Sequence, residues 1–357
     1  MTRHLVIGGG PAGSYLAYLL AKRGERVDLY ERNADQVRHP KACSGGIARW
    51  WVRRTGVPLP DDVVAARIDR GRILYGDRVL WEAGGGGAEL GYILRRGAFE
   101  RYLQEEAEGM GARIIHESKH SIDGYDRVHL AEGAAGTVKR SLGIAEDRPV
   151  DDFHMGVQII GYGPEPDGGR ALEVYVEEEV TGGYAWRFPT MIPGTRDYAV
   201  EVGLGVPMSM GGRAWDILNK WLERRGWRIR PVIRQAHIIP TSHPQRQKFG
   251  RVMVLGDDAY LTNPITGGGI HAALLSALSA ADGKPVPRSF RIQTRILYAA
   301  KSRVVRMPPS RVAEMIRSVG GSVTYSGDEP PYRKFMSAVR ALGLVVGIGR
   351  GRRPVHG

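Results

Sequence analysis

The sequence predicts a mixed α/β (α+β) fold, with a parallel-sheet unit at the N-terminal end, an antiparallel sheet in the middle and helices toward the C-terminal end. Residues 4–30 contain a buried strand, a helix and a second strand in succession, which is the βαβ arrangement of parallel sheets. From residue 151, alternating and β-branched runs between Gly and Pro turns favour antiparallel strands instead. Helical spacing of apolar residues dominates again after residue 269.

Each element follows from a local pattern. In the N-terminal region, strands are predicted over residues 4–7, 27–30, 113–115 and 128–131, and helices over 11–23 and 98–110. In the middle region, strands are predicted over 155–160, 171–176, 184–189 and 198–202, and a helix over 214–224. A strand over 252–255 should return to the first sheet, and helices are predicted over 269–282, 289–303, 310–318 and 332–346.

These patterns predict three regions. Residues 1–150 and 235–285 should form one discontinuous domain, residues 151–234 an antiparallel-sheet domain, and residues 286–357 a helical C-terminal segment. The hydrophobic fraction of 42% and the charged fraction of 25% are ordinary for a globular protein of this length.

Composition limits the chemistry that the chain can perform. Its single cysteine, Cys43, excludes an internal disulfide, a thiolate-bound iron–sulfur cluster and a Cys-rich zinc site, so we predict no metal and a reducing, cytoplasmic location. The net charge of +13 favours anionic partners such as nucleic acid, phosphorylated metabolites or acidic lipid headgroups, and it equally serves solubility. No apolar run approaches the roughly 20 residues of a membrane-spanning helix.

The turn after the first strand is typical of a dinucleotide-binding site. Residues 8–13 match G-x-G-x-x-G, with a strand before them and a helix after them. The second strand ends at an acidic residue, 18 positions after Gly13, whose carboxylate is placed to accept ribose hydroxyls. This pattern predicts a Rossmann-like domain that contacts its cofactor through Gly8, Gly10, Pro11, Ala12, Gly13, Glu31 and Arg32.

A second glycine-rich turn follows the late strand. Residues 256–259 read Gly-Asp-Asp-Ala, and residues 264–270 read Pro-Ile-Thr-Gly-Gly-Gly-Ile at a predicted helix start. Asp257 is placed to bind a ribityl hydroxyl. The N–H groups near Gly268, Gly269 and Ile270 are placed to face the edge of a flavin that becomes negative on reduction.

Together the two turns resemble those of the two-motif FAD monooxygenase and reductase superfamily. Residues 130–133 resemble its strand followed by Asp-Gly, with Glu132 in place of the aspartate, and Arg96 resembles the arginine that opens the next helix and contacts FAD. The resemblance implies one bound FAD. Because both motifs serve a flavin, we predict no nucleic-acid partner.

Two further segments resemble the geranylgeranyl reductase family. Residues 41–47 are similar to its Lys-x-Cys-Gly-Gly segment, and residues 184–189 match Y-x-W-x-F-P, followed by G-x-G at 203–205. The resemblance adds predicted FAD contacts from these segments and from the second turn, at Lys41, Cys43, Ser44, Gly46, Pro264 and Gly267.

Alternate residues of the Y-x-W-x-F-P strand share one side, so its aromatic side chains suit a flat apolar wall that holds an isoprenoid chain. We predict a substrate wall of Tyr184, Trp186, Phe188 and Pro189, with ordinary core aromatics as the alternative. Cys43, Tyr184 and Trp186 are the predicted catalytic residues; Cys43 is equally suited to packing. His271 either faces the flavin or has a structural role at the start of a helix.

The resemblance implies an FAD-dependent reductase of the C=C bonds of geranylgeranyl chains, carried by geranylgeranyl diphosphate or an archaeal-type membrane lipid. Its proton donor would be Cys43, Tyr184 or water, and its electron donor a ferredoxin, NADPH or a reduced deazaflavin. An apolar segment at 341–348, followed by Arg350, Arg352 and Arg353, is compatible with peripheral contact at the inner membrane face. The alternative is a monooxygenase or halogenase of the same superfamily, and halogenases carry W-x-W-x-I-P where this chain has Tyr184 and Phe188.

Overall fold

A computed structural model describes residues 1–118, 121–318 and the short strand 322–323. The predicted helix over 332–346, the apolar segment 341–348 and the arginines that follow it lie outside the described residues. The helices are α1 (Pro11–Lys22), α2 (Arg49–Thr55), α3 (Arg96–Gly109), α4 (Thr137–Ser141), α5 (Ala214–Arg224), α6 (Ile270–Ala281), α7 (Arg288–Val304) and α8 (Pro309–Ser318). Within the described ranges, none of these helices is long and apolar enough to cross a bilayer.

Three sheets account for the described strands. In chain order the strands are β1 (Arg3–Ile7), β2 (Arg26–Tyr30), β3 (Gly46–Ala48), β4 (Val64–Ile68), β5 (Arg70–Tyr75), β6 (Arg78–Gly84), β7 (Gly91–Leu94), β8 (Arg113–Ile115), β9 (Arg127–Leu130), β10 (Phe153–Tyr162), β11 (Ala171–Val176), β12 (Tyr184–Met191), β13 (Tyr198–Pro207), β14 (Arg230–Pro240), β15 (Lys248–Phe249), β16 (Val252–Val254) and β17 (Ser322–Val323).

The first sheet is Rossmann-like and has the strand order β15-β16-β9-β1-β2-β8. All its neighbouring pairs are parallel except β15 with β16. Helix α1 packs between α3 and α6, and fully buried Leu5, Leu16 and Leu130 belong to the core of this unit. The late strand β16 pairs with β9, so the predicted return of the chain to the first sheet is confirmed.

The second sheet has eight strands in the order β14-β10-β13-β12-β11-β5-β6-β17. Its central pairs are antiparallel, while β11 pairs with β5 in parallel. Helix α5 covers one face, where Val202 and Leu204 pack with Leu218 and Trp221. Strand β14 runs through residue 234, where the sequence pattern suggested a domain boundary, so this sheet continues to Pro240.

The hairpin β5–β6 was not predicted from the sequence. It turns at Gly76, which has φ +56°, and its residues are mostly half-exposed. Its polar and apolar residues do not alternate clearly, which weakens the strand signal. A third sheet, β3-β7-β4, packs against β12 through Ile68, Ile93 and Phe188.

Candidate active site

The turn from β1 to α1 is shaped by three glycines with different roles. Gly8 has φ +101°, and a Cβ atom there would overlap the Ala131 carbonyl; one at Gly13 would overlap the Gly8 carbonyl oxygen. A Cβ at Gly10 would find its nearest neighbour, Arg96 Nη2, only 3.9 Å away. Gly10 caps α1 without any side-chain hydrogen bond. The turn therefore packs tightly on two sides and leaves the helix N-terminus open toward a ligand, which fits the pyrophosphate of a dinucleotide.

The acidic residue at the end of β2 lies at this turn. Glu31 accepts hydrogen bonds from the Gly9 N–H and the Asn33 N–H, each at 2.7 Å. The backbone thus orients its carboxylate beside the glycine turn. Arg32 is exposed.

Two glutamines that the sequence pattern did not single out support the same turn. Gln36 Nε2 and Gln104 Nε2 each donate to the Gly9 carbonyl at 3.1 Å, and Gln104 Nε2 also donates to Gln36 Oε1 at 2.8 Å. Both side chains are buried. They come from the loop after β2 and from α3, so only the tertiary fold brings them together.

The second glycine turn lies against the first. A Cβ at Gly256 would lie 3.4 Å from the Ala12 Cβ. Asp257 Oδ1 accepts the Thr262 hydroxyl at 2.7 Å, and a Cβ at Gly269 would lie 2.6 Å from that carboxylate oxygen. Gly269 caps α6 without a side-chain hydrogen bond. The N-termini of α1 and α6, at Pro11 and Ile270, are 259 residues apart in the sequence, yet the two glycine turns adjoin, and we call the space between these turns the cleft.

Arg96 and Cys43 meet at the edge of this cleft. Arg96 Nε donates to Glu100 Oε1 at 2.7 Å, and both side chains are largely buried. Burial lowers the pKa of the Arg96 guanidinium, but the charges of Glu100 and Cys43 outweigh it and raise the pKa. Arg96 therefore remains a fixed cation beside the cysteine.

The loop before β3 brings Lys41 into the same cluster. A Cβ at Gly133 would lie 2.5 Å from Lys41 Nζ, so the lysine reaches the turn after β9. Burial and the Arg96 charge lower the pKa of Lys41, while Asp257 opposes them. Next in the loop, Cys43 Sγ accepts the Gly45 N–H at 3.5 Å. Ser44 is half-buried and Gly46 begins β3.

The aromatic strand β12 is joined to the second glycine turn. The Tyr184 hydroxyl donates to the Thr266 carbonyl. Burial raises the pKa of Tyr184 to about 12, and the negative charge of a Cys43 thiolate adds to the effect. The predicted residues Cys43 and Tyr184 therefore lie close together, although 140 positions separate them in the sequence.

The predicted aromatic wall continues along β12. The Tyr184 and Trp186 rings are 6.0 Å apart, and those of Trp186 and Phe188 are 6.4 Å apart. Trp186 Nε1 donates to Glu201 Oε1 at 2.9 Å. A Cβ at Gly203 would lie 2.5 Å from the indole Cζ2, so this glycine makes room for the ring. Phe188 packs on the small third sheet, and the next residue, Pro189, is buried.

Strand register reveals a feature of this sheet face that the motifs do not show. His237, Gly156, Gly205 and Tyr184 are cross-strand neighbours in one row over β14, β10, β13 and β12. Directly opposed residues point to the same face, so two glycines lie between the histidine and the tyrosine. The Ile239 side chain leans over Gly156, where a Cβ would lie 3.1 Å from its Cδ1, whereas a Cβ at Gly205 would find its nearest neighbour, the Trp186 ring, 4.0 Å away. We call His237, Gly156, Gly205 and Tyr184 the glycine row.

The neighbouring row of residues begins with two hydrogen-bonded glutamines. Gln158 Nε2 donates to Gln235 Oε1 at 2.9 Å, and Gln235 Nε2 donates to the Pro40 carbonyl at 2.7 Å, one residue before Lys41. Burial and then the Lys41 charge lower the pKa of His237 to about 3, so this imidazole is neutral at pH 7. His237, Gln235 and Gln158 were missed from the sequence. Half-buried and exposed residues alternate along β14, which was the available signal for His237 and Gln235, whereas Gln158 lies among buried residues of β10.

Three acidic or basic residues near the motifs have structural roles. Glu132 Oε2 accepts the Val138 N–H at 2.8 Å and so orders the turn after β9. Asp258 forms a buried ion pair with Lys139 at 3.1 Å. Burial raises the pKa of Asp258 to about 6, although Lys139 opposes this.

His271 fits the structural alternative. Its ring packs against Trp51 at 4.8 Å and Phe290 at 6.3 Å. Burial lowers its pKa to about 4.

Among the described residues, no group of three or more His, Cys, Asp or Glu side chains is arranged to hold a metal ion.

Comparison with known proteins places these features in a family. Residues 6–36 match the model of the NAD(P)-binding Rossmann-like domain. The chain is 30% identical over 306 residues to a digeranylgeranylglycerophospholipid reductase of Methanospirillum hungatei, covering 78% of this chain and 74% of the relative. A reductase of the same name from Methanothrix thermoacetophila is 29% identical over 305 residues, covering 78% and 76%.

Solved structures share the fold. A geranylgeranyl bacteriochlorophyll reductase-like protein from Thermoplasma acidophilum superposes with a TM-score of 0.78 at 19% identity, covering 96% of this chain and 98% of that one. The flavin-dependent brominase Bmp2 superposes with a TM-score of 0.63 at 13% identity, covering 96% and 93%. The predicted fold class is thereby confirmed.

Proposed function

The chain belongs to the digeranylgeranylglycerophospholipid reductase family, and on that premise we propose that it is an FAD-dependent reductase of the C=C bonds of geranylgeranyl chains. Its substrate would be an archaeal-type membrane lipid or geranylgeranyl diphosphate. The observation that carries the proposal is the hydrogen bond between Tyr184 and Thr266, because it joins the aromatic strand to the second glycine turn. An apolar wall and a candidate flavin site thus share one cleft.

The residues present fit FAD. The open N-terminus of α1 at Gly10 would hold the pyrophosphate and Glu31 the adenosine ribose. Asp257 would bind the ribityl chain, and the N-terminus of α6 at Gly269 would face the flavin edge. Bound FAD would supply the two-electron chemistry, taking electrons from a donor and passing them to the alkene as hydride. All of the predicted FAD contacts stay predictions, both the four just named and Gly8, Pro11, Ala12, Gly13, Arg32, Lys41, Cys43, Ser44, Gly46, Arg96, Pro264, Gly267, Gly268 and Ile270.

The chain's own side chains would orient the prenyl group and hold the proton that is added to its double bond. A flat group would lie over Gly205, between the Ile239 side chain and Tyr184, with the Trp186 indole at its border. At neutral pH Tyr184 keeps its proton, and its hydroxyl is already directed at Thr266. We propose that Cys43 delivers the proton as a neutral thiol, since the Tyr184 hydroxyl is already bonded to Thr266, and that the Arg96 cation beside it would stabilise the thiolate that remains.

The electrons would come from an external donor. The sequence contains no second G-x-G-x-x-G turn of the dinucleotide type, so NADPH would bind transiently or a ferredoxin or reduced deazaflavin would serve. The net charge of +13 suits an acidic ferredoxin.

A monooxygenase or halogenase is the second candidate, because the brominase shares the fold. An anaerobic single-turnover experiment separates the two. FAD-loaded protein is reduced chemically and mixed with a geranylgeranyl lipid while the flavin band near 450 nm is followed. The proposal expects reoxidation without oxygen and a product that has gained two hydrogen atoms per double bond. Reoxidation only in the presence of oxygen, with a hydroxylated product, would contradict it.

Two variants test the assignment of Cys43 as the proton donor. Cys43→Ala should still bind FAD but slow product formation on the order of 100-fold, the typical contribution of a general acid. Tyr184→Phe keeps the ring and serves as the matched control, with a much smaller effect. Equal effects of the two substitutions would remove Cys43 from this role.

A further inference from the structure

A long stretch of the C-terminal half carries positive charge alone. Residues 283–313 contain no Asp or Glu. The same stretch contains eight basic residues: Lys284, Arg288, Arg291, Arg295, Lys301, Arg303, Arg306 and Arg311. The excess charge of the chain is therefore concentrated rather than spread evenly, and α7 lies within this stretch.

Helix α7 presents this charge on one exposed face. Arg288, Ile292, Arg295, Ala299 and Arg303 are all exposed and follow helical spacing. We call these five residues the α7 stripe. A helix of 17 residues is about 25 Å long. Within the described part of the chain, none of the three arginines forms an ion pair, and Ile292 is 46% exposed between two of them.

A cationic cavity adjoins the first half of α7. Its volume is about 390 Å³, and it is lined by Arg246, Gln247, Lys248, Gly250, Pro285 and Arg291. Three of these residues are cationic and none is acidic. Arg291 Nε is buried without a hydrogen-bond partner among the described atoms. Guanidinium groups in such a setting bind phosphate oxygens well.

The opposite side of α7 contacts the candidate active site. Phe290 packs against Trp51 and His271, with ring centroids 6.3 Å away in each case. His271 is the second residue of α6, whose N-terminus opens onto the cleft. One layer of side chains thus separates the second glycine turn from the helix that carries the stripe.

We propose that the α7 stripe and the adjoining cavity form a docking surface for an anionic lipid bilayer, with a lipid phosphate in the cavity. The charge favours an anionic bilayer, because the stripe presents three arginines without ion pairs among the described residues and an exposed isoleucine on one face of α7, beside a cationic cavity. The arginines would lie among the lipid headgroups while the apolar face of α7 stays packed on the protein. The proposal does not depend on the reductase activity, since it concerns vesicles that contain no substrate.

Cosedimentation of FAD-loaded protein with vesicles tests the proposal. One set of vesicles is neutral phosphatidylcholine, and the other contains about one third phosphatidylglycerol. We expect binding only to the anionic vesicles, weakening as salt is raised. Absence of binding to anionic vesicles at low salt would overturn the proposal and point to an acidic protein as the partner.

Charge reversal locates the surface. The triple variant Arg288→Glu, Arg295→Glu, Arg303→Glu should reduce the partition coefficient on the order of 100-fold, because each basic residue at an anionic surface contributes about fivefold. The matched control reverses Arg78, Lys220 and Arg228, which are exposed elsewhere. Retained FAD binding and circular dichroism show that each variant folds. A loss of the same size in the control would contradict this location.

The cavity is tested separately. The double substitution Arg246→Ala, Arg291→Ala leaves the α7 stripe intact and should weaken binding to anionic vesicles severalfold. Unchanged binding in this variant would remove the cavity from the docking surface.

Discussion

Trp186 shows how one side chain of the site depends on two others. Its indole occupies the space over Gly203, and its Nε1 donates to the buried carboxyl of Glu201. The aromatic motif and the later G-x-G are therefore parts of one packing arrangement on adjacent strands. The two motifs are separated in the sequence because the chain turns between β12 and β13 before it pairs with itself.

The first prediction concerns this arrangement. Gly203→Ala places a methyl group 2.5 Å from both the indole Cζ2 and the Val157 carbonyl oxygen, so the ring and the neighbouring strand must shift. We expect a loss of about 1–3 kcal/mol in the free energy of unfolding, as for other overpacked cores. Urea unfolding measures it. Gly205→Ala is the matched control, because its Cβ would lie 4.0 Å from the nearest atom, and an equal loss there would contradict the explanation.

The second prediction concerns pH. Burial raises the pKa of Glu201 from 4.5 to about 7, although the Trp186 hydrogen bond opposes this. Because the folded pKa is the higher one, the contribution of Glu201 to stability is full below pH 4.5 and is lost as the pH rises through 7. Glu201→Gln should remove this loss, on the order of 2–3 kcal/mol in unfolding free energy.

Urea unfolding at pH 5 and pH 8 checks this pH effect. The difference between wild type and Glu201→Gln should grow from the lower to the higher pH. The exposed Glu223→Gln substitution is the control and should show no such growth. A constant difference for Glu201→Gln would mean that the carboxyl is not held neutral in the folded protein.

At the scale of elements, hydrogen bonds from the inner side of α7 hold this helix across the end of the large sheet. Lys301 Nζ donates to the Asp151 carbonyl at 2.8 Å and to the Thr241 carbonyl and hydroxyl at 3.0 and 2.8 Å. The Tyr298 hydroxyl donates to Asp152 at 2.7 Å. At this turn of α7, the buried Lys301 cation holds the helix in place through hydrogen bonds rather than through apolar packing.

The third prediction tests that anchor. Lys301→Met keeps the length of the side chain but leaves the Thr241 and Asp151 carbonyls without their donor. We expect a loss of about 2–4 kcal/mol in unfolding free energy, together with faster amide hydrogen exchange throughout α7. Arg295→Met removes an exposed cation from the same helix and should change neither quantity. Unaltered exchange in Lys301→Met would show that α7 is held by other contacts.

At the scale of the whole molecule, polar contacts between distant segments close the cleft between the two larger sheets. Tyr184 contacts the second glycine turn at Thr266. Gln235 of the edge strand β14 contacts Pro40, in the loop that carries Lys41 and Cys43. The position of the candidate catalytic loop thus depends on a glutamine almost 200 residues away.

The fourth prediction concerns this connection. Gln235→Ala should cost only about 1 kcal/mol in unfolding free energy, the worth of one hydrogen bond, yet loosen the loop around Cys43. We expect alkylation of Cys43 to become severalfold faster and FAD to bind more weakly. The chain has one cysteine, so the alkylation signal is unambiguous. Gln293→Ala on α7 is the control, and equal alkylation rates in both variants would refute the connection.

The local features of this protein can be predicted from its amino-acid sequence. The strand–turn–helix of residues 4–23, the second glycine turn and the aromatic strand are encoded within short segments, because turn chemistry and hydrophobic periodicity act over a few residues. From those motifs came the resemblance to geranylgeranyl reductases, which the comparisons confirmed.

Long-range strand pairing and packing determine which distant residues share the cleft. Pairing of β14 with β10 places His237 and Gln235 beside Lys41, and pairing of β5 with β11 extends the large sheet with a hairpin from the first half of the chain. Strand register and burial depend on partners far away in sequence, and a shift by one residue would turn each side chain to the other face. The shifted pKa values of Glu201 and His237 have the same origin, because burial follows from the assembled fold.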